Sequence, residues 1–404
     1  MNQHSNPKIR FREFVNKWNN YKLGQLGNFK SGIGFPDSQQ GGTEGIPFFK
    51  VSDMNNIGNE TEMRNANNYV TQEQIMKNSW KVINETPAII FAKVGAALML
   101  NRKRLVTKPF LIDNNTMSYS FDESWDKDFG LTLFQTINLP KYAQIGALPS
   151  YNASDIAMIK VNVPNVQEQS AIGSLFRTLD DLLASYKDNL ANYQSLKATM
   201  LSKMFPKAGQ TVPEIRLDGF EGEWKIKRAD EIFKSVSEKN RASLPVLSAS
   251  QIDGMVLRDE IGIDIKYDEA TLNNYKVVKP GQFVIHLRSF QGGFALSKLE
   301  GITSPAYTII DFIDKENHLP GFWNSILTSK EFIKRLETVT YGIRDGKSIS
   351  FKDFSSLKFV FPNLEEQQAI GAYFSNLDNL IISYQEKISQ LETLKKKLLQ
   401  DMFI

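Results

Sequence analysis

The sequence predicts an α+β protein in which two globular domains are separated by a pair of long antiparallel, coiled-coil-like helices, arranged as a pseudo-two-fold internal repeat. Three observations lead there. The stretch Pro164–Phe205 returns as Pro362–Phe403 at a constant offset of 198, with 18 of 42 positions identical. The starts of the two halves also correspond: Pro7, Ile9, Arg10 and Trp18 match Pro213, Ile215, Arg216 and Trp224 at an offset of 206. Within each repeated stretch the apolar residues advance by three and four, the spacing of a single helical stripe. A repeat found at both ends of each half means two copies of one unit.

The first stripe runs through Ile172, Phe176, Leu179, Leu183, Tyr186 and Leu190, and the second through Ile370, Phe374, Leu377, Ile381, Tyr384 and Ile388. These twelve residues are the expected seam of a helix pair. Neither stretch has an internal proline. Each opens Pro-Asn-x-x-Glu, where Asn165 or Asn363 can cap the helix and Glu168 or Glu366 can reach back to it. Gly173 and Gly371 occupy equivalent places, and a close helix contact is the expected reason for two residues that each cost about 1 kcal/mol of helix propensity.

Mixed segments lie ahead of each helix, about 21–163 and 226–361. They hold short strand-like runs at Ile46–Val51, Ala88–Phe91, Gln282–Leu287 and Tyr307–Ile310, interrupted by Gly, Asn and Asp clusters such as Asn55–Asn59. The expected organisation is a first head over residues 1–163, a long helix over 164–205, a linker and second head over 206–361, and a second long helix over 362–404. A helix of about 40 residues is roughly 60 Å long. The linker Pro206–Val212 spans at most about 25 Å, too short to return the chain to the helix start. The sequence therefore predicts heads at opposite ends of a helical pair, a molecular ruler.

Bulk composition narrows the function. With 48 Lys and Arg against 45 Asp and Glu, the net charge is only +3, so a nucleic-acid surface would need local segregation of charge. Cysteine is absent, which excludes disulfides and thiolate metal sites and fits a reducing compartment. The N-terminus has no apolar core of a signal peptide. The most apolar stretch, Ala88–Leu100, is shorter than the roughly 20 residues of a membrane span. A cytoplasmic protein is expected. The three histidines, His4, His286 and His318, are scattered, with no HExxH spacing for metal. No GxSxG supports a serine nucleophile. Gly342–Ser348 (GIRDGKS) is one residue short of a phosphate-binding loop and reads as a turn with a basic tip. Ser304-Pro305-Ala306-Tyr307 lacks the second proline of an amino-methyltransferase motif and reads as a loop entering a strand. No catalytic residue and no metal site are expected in this chain.

Basic residues at loop positions carry more. Lys93 ends the run IIFAK before Val94-Gly95, and Arg288 ends VIHLR before Gly292-Gly293. A long cation beside a glycine loop suits phosphate or a guanine edge. Asn101-Arg102-Lys103-Arg104 is the densest basic cluster of the first head, and Arg344 and Lys347 flank Gly346 in the second. Any one of these is ordinarily a solvated surface cation. With Lys50 and Gly95, they form the candidate nucleic-acid-contact set.

The chain resembles the specificity (S) subunits of type I restriction-modification systems. The resemblance is carried by the openings Pro164–Gly173 and Pro362–Gly371 (PN-x-x-E-Q-x-A-I-G) and by the LDxL-x-x-SY stretches Leu179–Tyr186 and Leu377–Tyr384. Gly45-Ile46-Pro47-Phe48, Lys50-Val51-Ser52-Asp53 and Val278-Lys279-Pro280-Gly281 add to it. The resemblance implies that each head is a target-recognition domain reading one half of a bipartite, asymmetric double-stranded DNA site. It also implies that the helices set the spacer. Two modification (M) subunits would bring S-adenosylmethionine and methylate adenine, and restriction (R) subunits would add ATP- and Mg-dependent cleavage. The chain itself would be a non-catalytic recognition and scaffold subunit without a cofactor of its own. A stand-alone tandem DNA-binding regulator and a coiled-coil interaction scaffold are the other readings; tight specific binding by the chain alone would favour the regulator.

Overall fold

The structure is a computed structural model that describes residues 7–144, 148–250, 253–261, 269–285, 294–339 and 350–403. The chain forms two compact units, Met1–Lys187 with Glu386–Ile404, and Asp188–Gln385. The two long helices, Val166–Lys203 and Leu364–Met402, are therefore each shared between units rather than separate bodies.

In the first unit the described strands are β1 (Asn19–Lys22), β2 (Gly27–Ser31), β3 (Ile46–Phe49), β4 (Tyr69–Val70), β5 (Ala88–Ala92), β6 (Lys103–Val106), β7 (Leu111–Ile112), β8 (Thr116–Phe121) and β9 (Lys160–Val163). An antiparallel sheet has the order β2-β8-β5-β6, a mixed sheet the order β4-β3-β7, and β1 pairs with β9. β5, AIIFA, is buried along its whole length. Successive side chains of a strand point to opposite faces. Accordingly Ile89 and Phe91 enter one core with Trp18, Tyr119 and Phe134, while Ala88 and Ile90 enter another with Phe49 and Phe110. Burial on both sides explains why this segment is continuously apolar instead of alternating.

In the second unit the described strands are β10 (Lys225–Arg228), β11 (Phe233–Val236), β12 (Leu247–Ser250), β13 (Gly254–Leu257), β14 (Lys276–Val278), β15 (Phe283–Ile285), β16 (Ala295–Leu296), β17 (Gly301–Thr303), β18 (Thr308–Phe312) and β19 (Lys358–Phe361). β11-β18-β15-β16 is again a four-stranded sheet, and β10 pairs with β19. Where the first unit inserts a three-stranded sheet, the second has two two-stranded ladders, β12-β13 and β14-β17. The expected runs at 46–51, 88–91 and 307–310 fall on β3, β5 and β18. The run at 282–287 begins in β15, and its last residues lie outside the described ones.

The correspondence of the halves is retained in the register. Asn19 faces Val163 and Lys225 faces Phe361, partners displaced by the same 206 and 198 residues as the sequence repeat. The start and end of each half are thus hydrogen-bonded to each other, just before the long helix begins. Sequence likeness is concentrated where the frame closes.

Each unit also packs parts of both long helices antiparallel. In the first, Lys395 donates to Asp180 and Lys187 is 2.7 Å from Glu392. In the second, Lys197 donates to Asp378 and Tyr193 packs 5.5 Å from Tyr384. Asp180 and Asp378 are repeat equivalents, as are Lys197 and Lys395. Phe403 lies 5.9 Å from Phe176, and Phe205 lies 6.0 Å from Phe374, again with the roles exchanged by the repeat. The seam is not uniform. Ile172, Phe176 and Leu179 are buried chiefly against the first sheet's core, and Ile370, Phe374 and Leu377 against the second's. Leu183 and Ile388 are buried as well, whereas Tyr186, Leu190, Ile381 and Tyr384 are half-buried. The first turns of each stripe serve the head they emerge from, and its later turns face the other helix.

Candidate nucleic-acid interface

The frame that presents the loops of each unit is closed by a buried ion pair. Asn165 caps its helix by accepting the Glu168 amide at 2.9 Å, and Asn363 accepts the Glu366 amide at 3.0 Å. The carboxylates do not reach back to the cap, as the capping-box pattern suggested. Glu168 takes Arg10 Nε at 2.6 Å and Arg10 Nη2 at 2.7 Å, and Glu366 takes Arg216 Nε and Nη2 at 2.7 Å each. A two-pronged guanidinium–carboxylate pair is stronger and more directional than a cap bond. Both glutamate side chains are 1 % exposed. Trp18 Nε1 also donates to Glu168 at 3.1 Å, whereas Trp224 Nε1 is buried without a partner among the described residues. The next residue completes the closure. Gln169 Oε1 accepts the Asp126 amide at 2.9 Å, and Gln367 Oε1 accepts the Leu319 amide at 3.2 Å. The most conspicuous repeated residues therefore hold the frame together from inside it.

The first-unit candidates fall into two groups. Lys93, Gly95 and Asn101 belong to the connection from β5 to β6. Gly95 has φ +79° and donates its amide to Pro149 at 2.9 Å, a backbone conformation that favours glycine. Asn101, at φ 52°, donates to the Ile137 carbonyl at 3.2 Å and accepts the Leu139 amide at 3.1 Å, so it braces the loop. Lys93 is half-buried, and its ammonium has no hydrogen-bond or ion-pair partner among the described residues. The second group surrounds the turn Val51–Asn55. Lys50 Nζ donates to Gln40 at 3.1 Å, Arg102 donates to Asn55 Oδ1, and Arg104 Nη2 lies 3.4 Å from the Met54 carbonyl.

Lys103 has to be corrected. It belongs to the basic run in sequence, yet its side chain is buried and its ammonium donates to the Ile137 carbonyl at 2.6 Å. Burial pulls its pKa down to about 7. Strand alternation separates the neighbours: within β6, Lys103 and Leu105 lie on the face of Ile89 and Phe91, while Arg104 lies on the opposite face with Ile90 and Val106, half-buried and with its Nε enclosed without a hydrogen-bond partner among the described residues. Burial, followed by the neighbouring Arg102, also lowers the Arg104 pKa. That leaves Lys93 and Arg102, with Lys50 nearby, as the first-unit candidates whose charged ends are not held in the core, while Arg104 is held against the Lys103 and Met54 carbonyls. Arg288, Arg344 and Lys347 lie outside the described residues, as does Gly342–Ser348. Ser304–Tyr307 forms a turn, Tyr307 N donating to Ser304 O at 3.1 Å, that enters β18.

Sequence reasoning treated Asn55–Asn59 only as an interruption, but the structure makes it an ordered loop. Asn59 is fully buried; its amide nitrogen donates to the carbonyls of Asp53 and Asn65 at 2.8 Å each, and its oxygen accepts the Arg64 amide at 2.8 Å. Asn56 donates to Asn65 and Asn67. The signal was the asparagine density itself, since these side chains substitute for backbone partners in loops. The result is a rigid loop beside Arg102 and Arg104, with Ile57 93 % exposed at its tip.

Comparison with known proteins accords with this geometry. A family model described as type I restriction modification DNA specificity domain matches residues 16–192 and again residues 221–393. The type I restriction enzyme MjaVIII specificity subunit of Methanocaldococcus jannaschii is 24 % identical over 271 residues, which are 62 % of this chain and 63 % of that one. The match thus spans less than two thirds of this relative's length. Among solved structures, the type I restriction-modification S subunit from M. genitalium has a TM-score of 0.62 at 15 % identity, covering 99 % of both chains. A chain solved in connection with complex assembly and conformational transition of the type I R-M system has a TM-score of 0.50 at 15 % identity, covering 95 % of this chain and 96 % of that one. At such identities the structural likeness concerns the fold.

Proposed function

Because the chain belongs to the type I restriction-modification DNA specificity family, with one copy of the domain in each repeat, we propose that it is the DNA-recognition and scaffold subunit of such a complex. In this reading each unit reads one half of a bipartite, asymmetric site, and the long helices set the spacer and dock methyltransferase subunits. The observation that carries it is one frame with two different inserts. The β1-β9 and β10-β19 ladders, the four-stranded sheets and the Arg10–Glu168 and Arg216–Glu366 pairs are common to both units. The inserted elements, β4-β3-β7 in one and β12-β13 with β14-β17 in the other, are not. Identical frames suit identical partners, while unlike inserts suit unlike base sequences.

The chain contributes recognition and no bond chemistry. Lys93 and Arg102 position the first unit on phosphates or read base edges, Lys50 supports the adjacent turn, and Arg104 braces Met54 beside it. Arg288, Arg344 and Lys347 remain the sequence-based candidates of the second unit. S-adenosylmethionine belongs to the M subunits in this scheme, and ATP and Mg to the R subunits. Among the described residues, no group of three or more His, Cys, Asp or Glu is placed to hold a metal ion, and no helix is long and apolar enough to cross a membrane.

The test is to express the chain with and without its M subunit and to map adenine methylation on genomic DNA. Methylation at one bipartite sequence, seen only with both proteins, is the expected result. Methylation by this chain alone, or by the M subunit alone at the same site, overturns the reading. In the assembled complex Lys93→Ala or Arg102→Ala should weaken DNA binding by about 1–3 kcal/mol if the side chain reads a base.

A further inference from the structure

The second unit contains a cavity of about 670 Å³ whose lining includes none of the candidate DNA-contact residues. Its walls are the end of the first long helix (Leu201, Phe205), the following loop Pro206–Gln210, Ile226 of β10, Ile326, the helix Lys330–Val339 and strand β19. The volume is that of an ordinary ligand pocket. Its interior is aliphatic and aromatic; of its charged lining, Lys207 is paired with Glu214 at 3.3 Å, and Lys334, Arg335 and Lys358 accompany a single acid, Glu331. Lys334 and Lys358 are exposed, and their ammonium groups have no ion-pair partner among the described residues.

The aromatic rings argue against a stacked base. Phe205 is stacked on Phe374, Phe332 leans on Phe359, and the Arg335 guanidinium sits 5.5 Å above the Phe359 ring while donating to the Lys358 carbonyl. With those faces engaged, the space suits an inserted apolar side chain. The surrounding lysines suit carboxylates beside it. That combination is the signature of an acidic, apolar protein segment: an anchor buried in a pocket and charges held at its rim.

We propose that this cavity receives an acidic, apolar segment of the methyltransferase subunit, one apolar side chain entering the cavity and neighbouring carboxylates meeting Lys334 and Lys358. The inference rests on the proposed function, which supplies the partner. The test uses the full chain and its M subunit, with affinity measured by calorimetry. A Lys334→Glu/Lys358→Glu double variant and an Ile226→Asp variant change exposed side chains, and an unchanged circular dichroism spectrum establishes that each is folded. Each is expected to weaken M-subunit binding at least tenfold, and raising salt should narrow the wild-type advantage over the charge variant. Affinities within twofold of wild type for both variants overturn the inference. It is equally overturned if M-subunit binding is unchanged and the assembled complex instead loses affinity for duplex DNA, because the cavity then belongs to the nucleic acid. Wild-type chain that binds the M subunit but supports no site-specific methylation refutes the functional reading instead, so the two failures are distinguishable.

Discussion

Glu168 and Glu366 show how much of each unit depends on a few repeated side chains. Removing either carboxylate takes two charge-assisted hydrogen bonds from its arginine, but Arg10 keeps the Asn16 carbonyl and Arg216 the Glu221 and Gly222 carbonyls, so the cost is about 1.5–3 kcal/mol. Glu168→Ala and Glu366→Ala should therefore each lower stability by that order, measured by denaturant unfolding. The tryptophans should behave differently. Trp18→Phe removes a bonded N–H and Trp224→Phe removes an unbonded one, so the second should be milder by about 1 kcal/mol. The two repeated glycines also diverge. A Cβ at Gly173 would lie 2.6 Å from the Phe129 amide nitrogen, whereas at Gly371 the nearest atom, Phe322 N, is 3.1 Å away. Gly173→Ala should destabilise by about 1–3 kcal/mol through overpacking. Gly371→Ala should be nearly neutral, because the gain in helix propensity of about 1 kcal/mol offsets the tighter contact. His318 provides a pH signature. It accepts Trp323 Nε1–H at 3.2 Å and stacks on Phe312, and burial pushes its pKa down to about 4. The unfolded chain takes up the proton below about pH 6.5, while the folded chain resists until about pH 4. Stability is therefore lost as pH falls through that window, and His318→Gln should abolish that part of the loss.

At the scale of elements, the long helices were legible because their signal is local: the spacing of apolar residues, the Pro-Asn start and the absence of internal proline all act within a few turns. Strand positions were partly legible, since fully buried runs such as Ala88–Ala92 are conspicuous. Sheet order was not, because β2 meets β8 across most of the first unit and no local pattern specifies such a partner. The basic cluster Asn101–Arg104 misled for a related reason. Consecutive side chains share a sequence neighbourhood but alternate between opposite faces once they form a strand, and both faces of β6 pack against core, which puts Lys103 inside and leaves Arg104 half-buried. The ion pairs Asp180–Lys395 and Lys197–Asp378 are partly exposed, with side-chain exposures of 18–42 %. Each contributes within the range of about 0–1 kcal/mol, so their role is register more than stability. Reversing one pair as Lys197→Asp/Asp378→Lys should restore most of the stability lost in Lys197→Asp alone; a double variant no more stable than the single one would remove that role.

For the whole molecule, a net charge of only +3 requires that DNA affinity come from locally grouped cations. Binding by the assembled complex should then fall steeply with salt through counterion release. A flat response between about 50 and 200 mM salt would count against phosphate contacts as a principal source of affinity. The repeat is legible in the amino-acid sequence alone, and so is the contrast between its matching ends and its divergent middles. The physical reason for that contrast is three-dimensional: the ends close a frame through paired strands and a buried guanidinium–carboxylate contact, and the middles are free to differ. The most direct measurement of the central claim is methylation mapping after replacing Tyr21–Val163 with the corresponding segment of a second family member. One half of the methylated site should change while the other half stays as it was; an unaltered site, or two altered halves, would contradict modular reading by the two units.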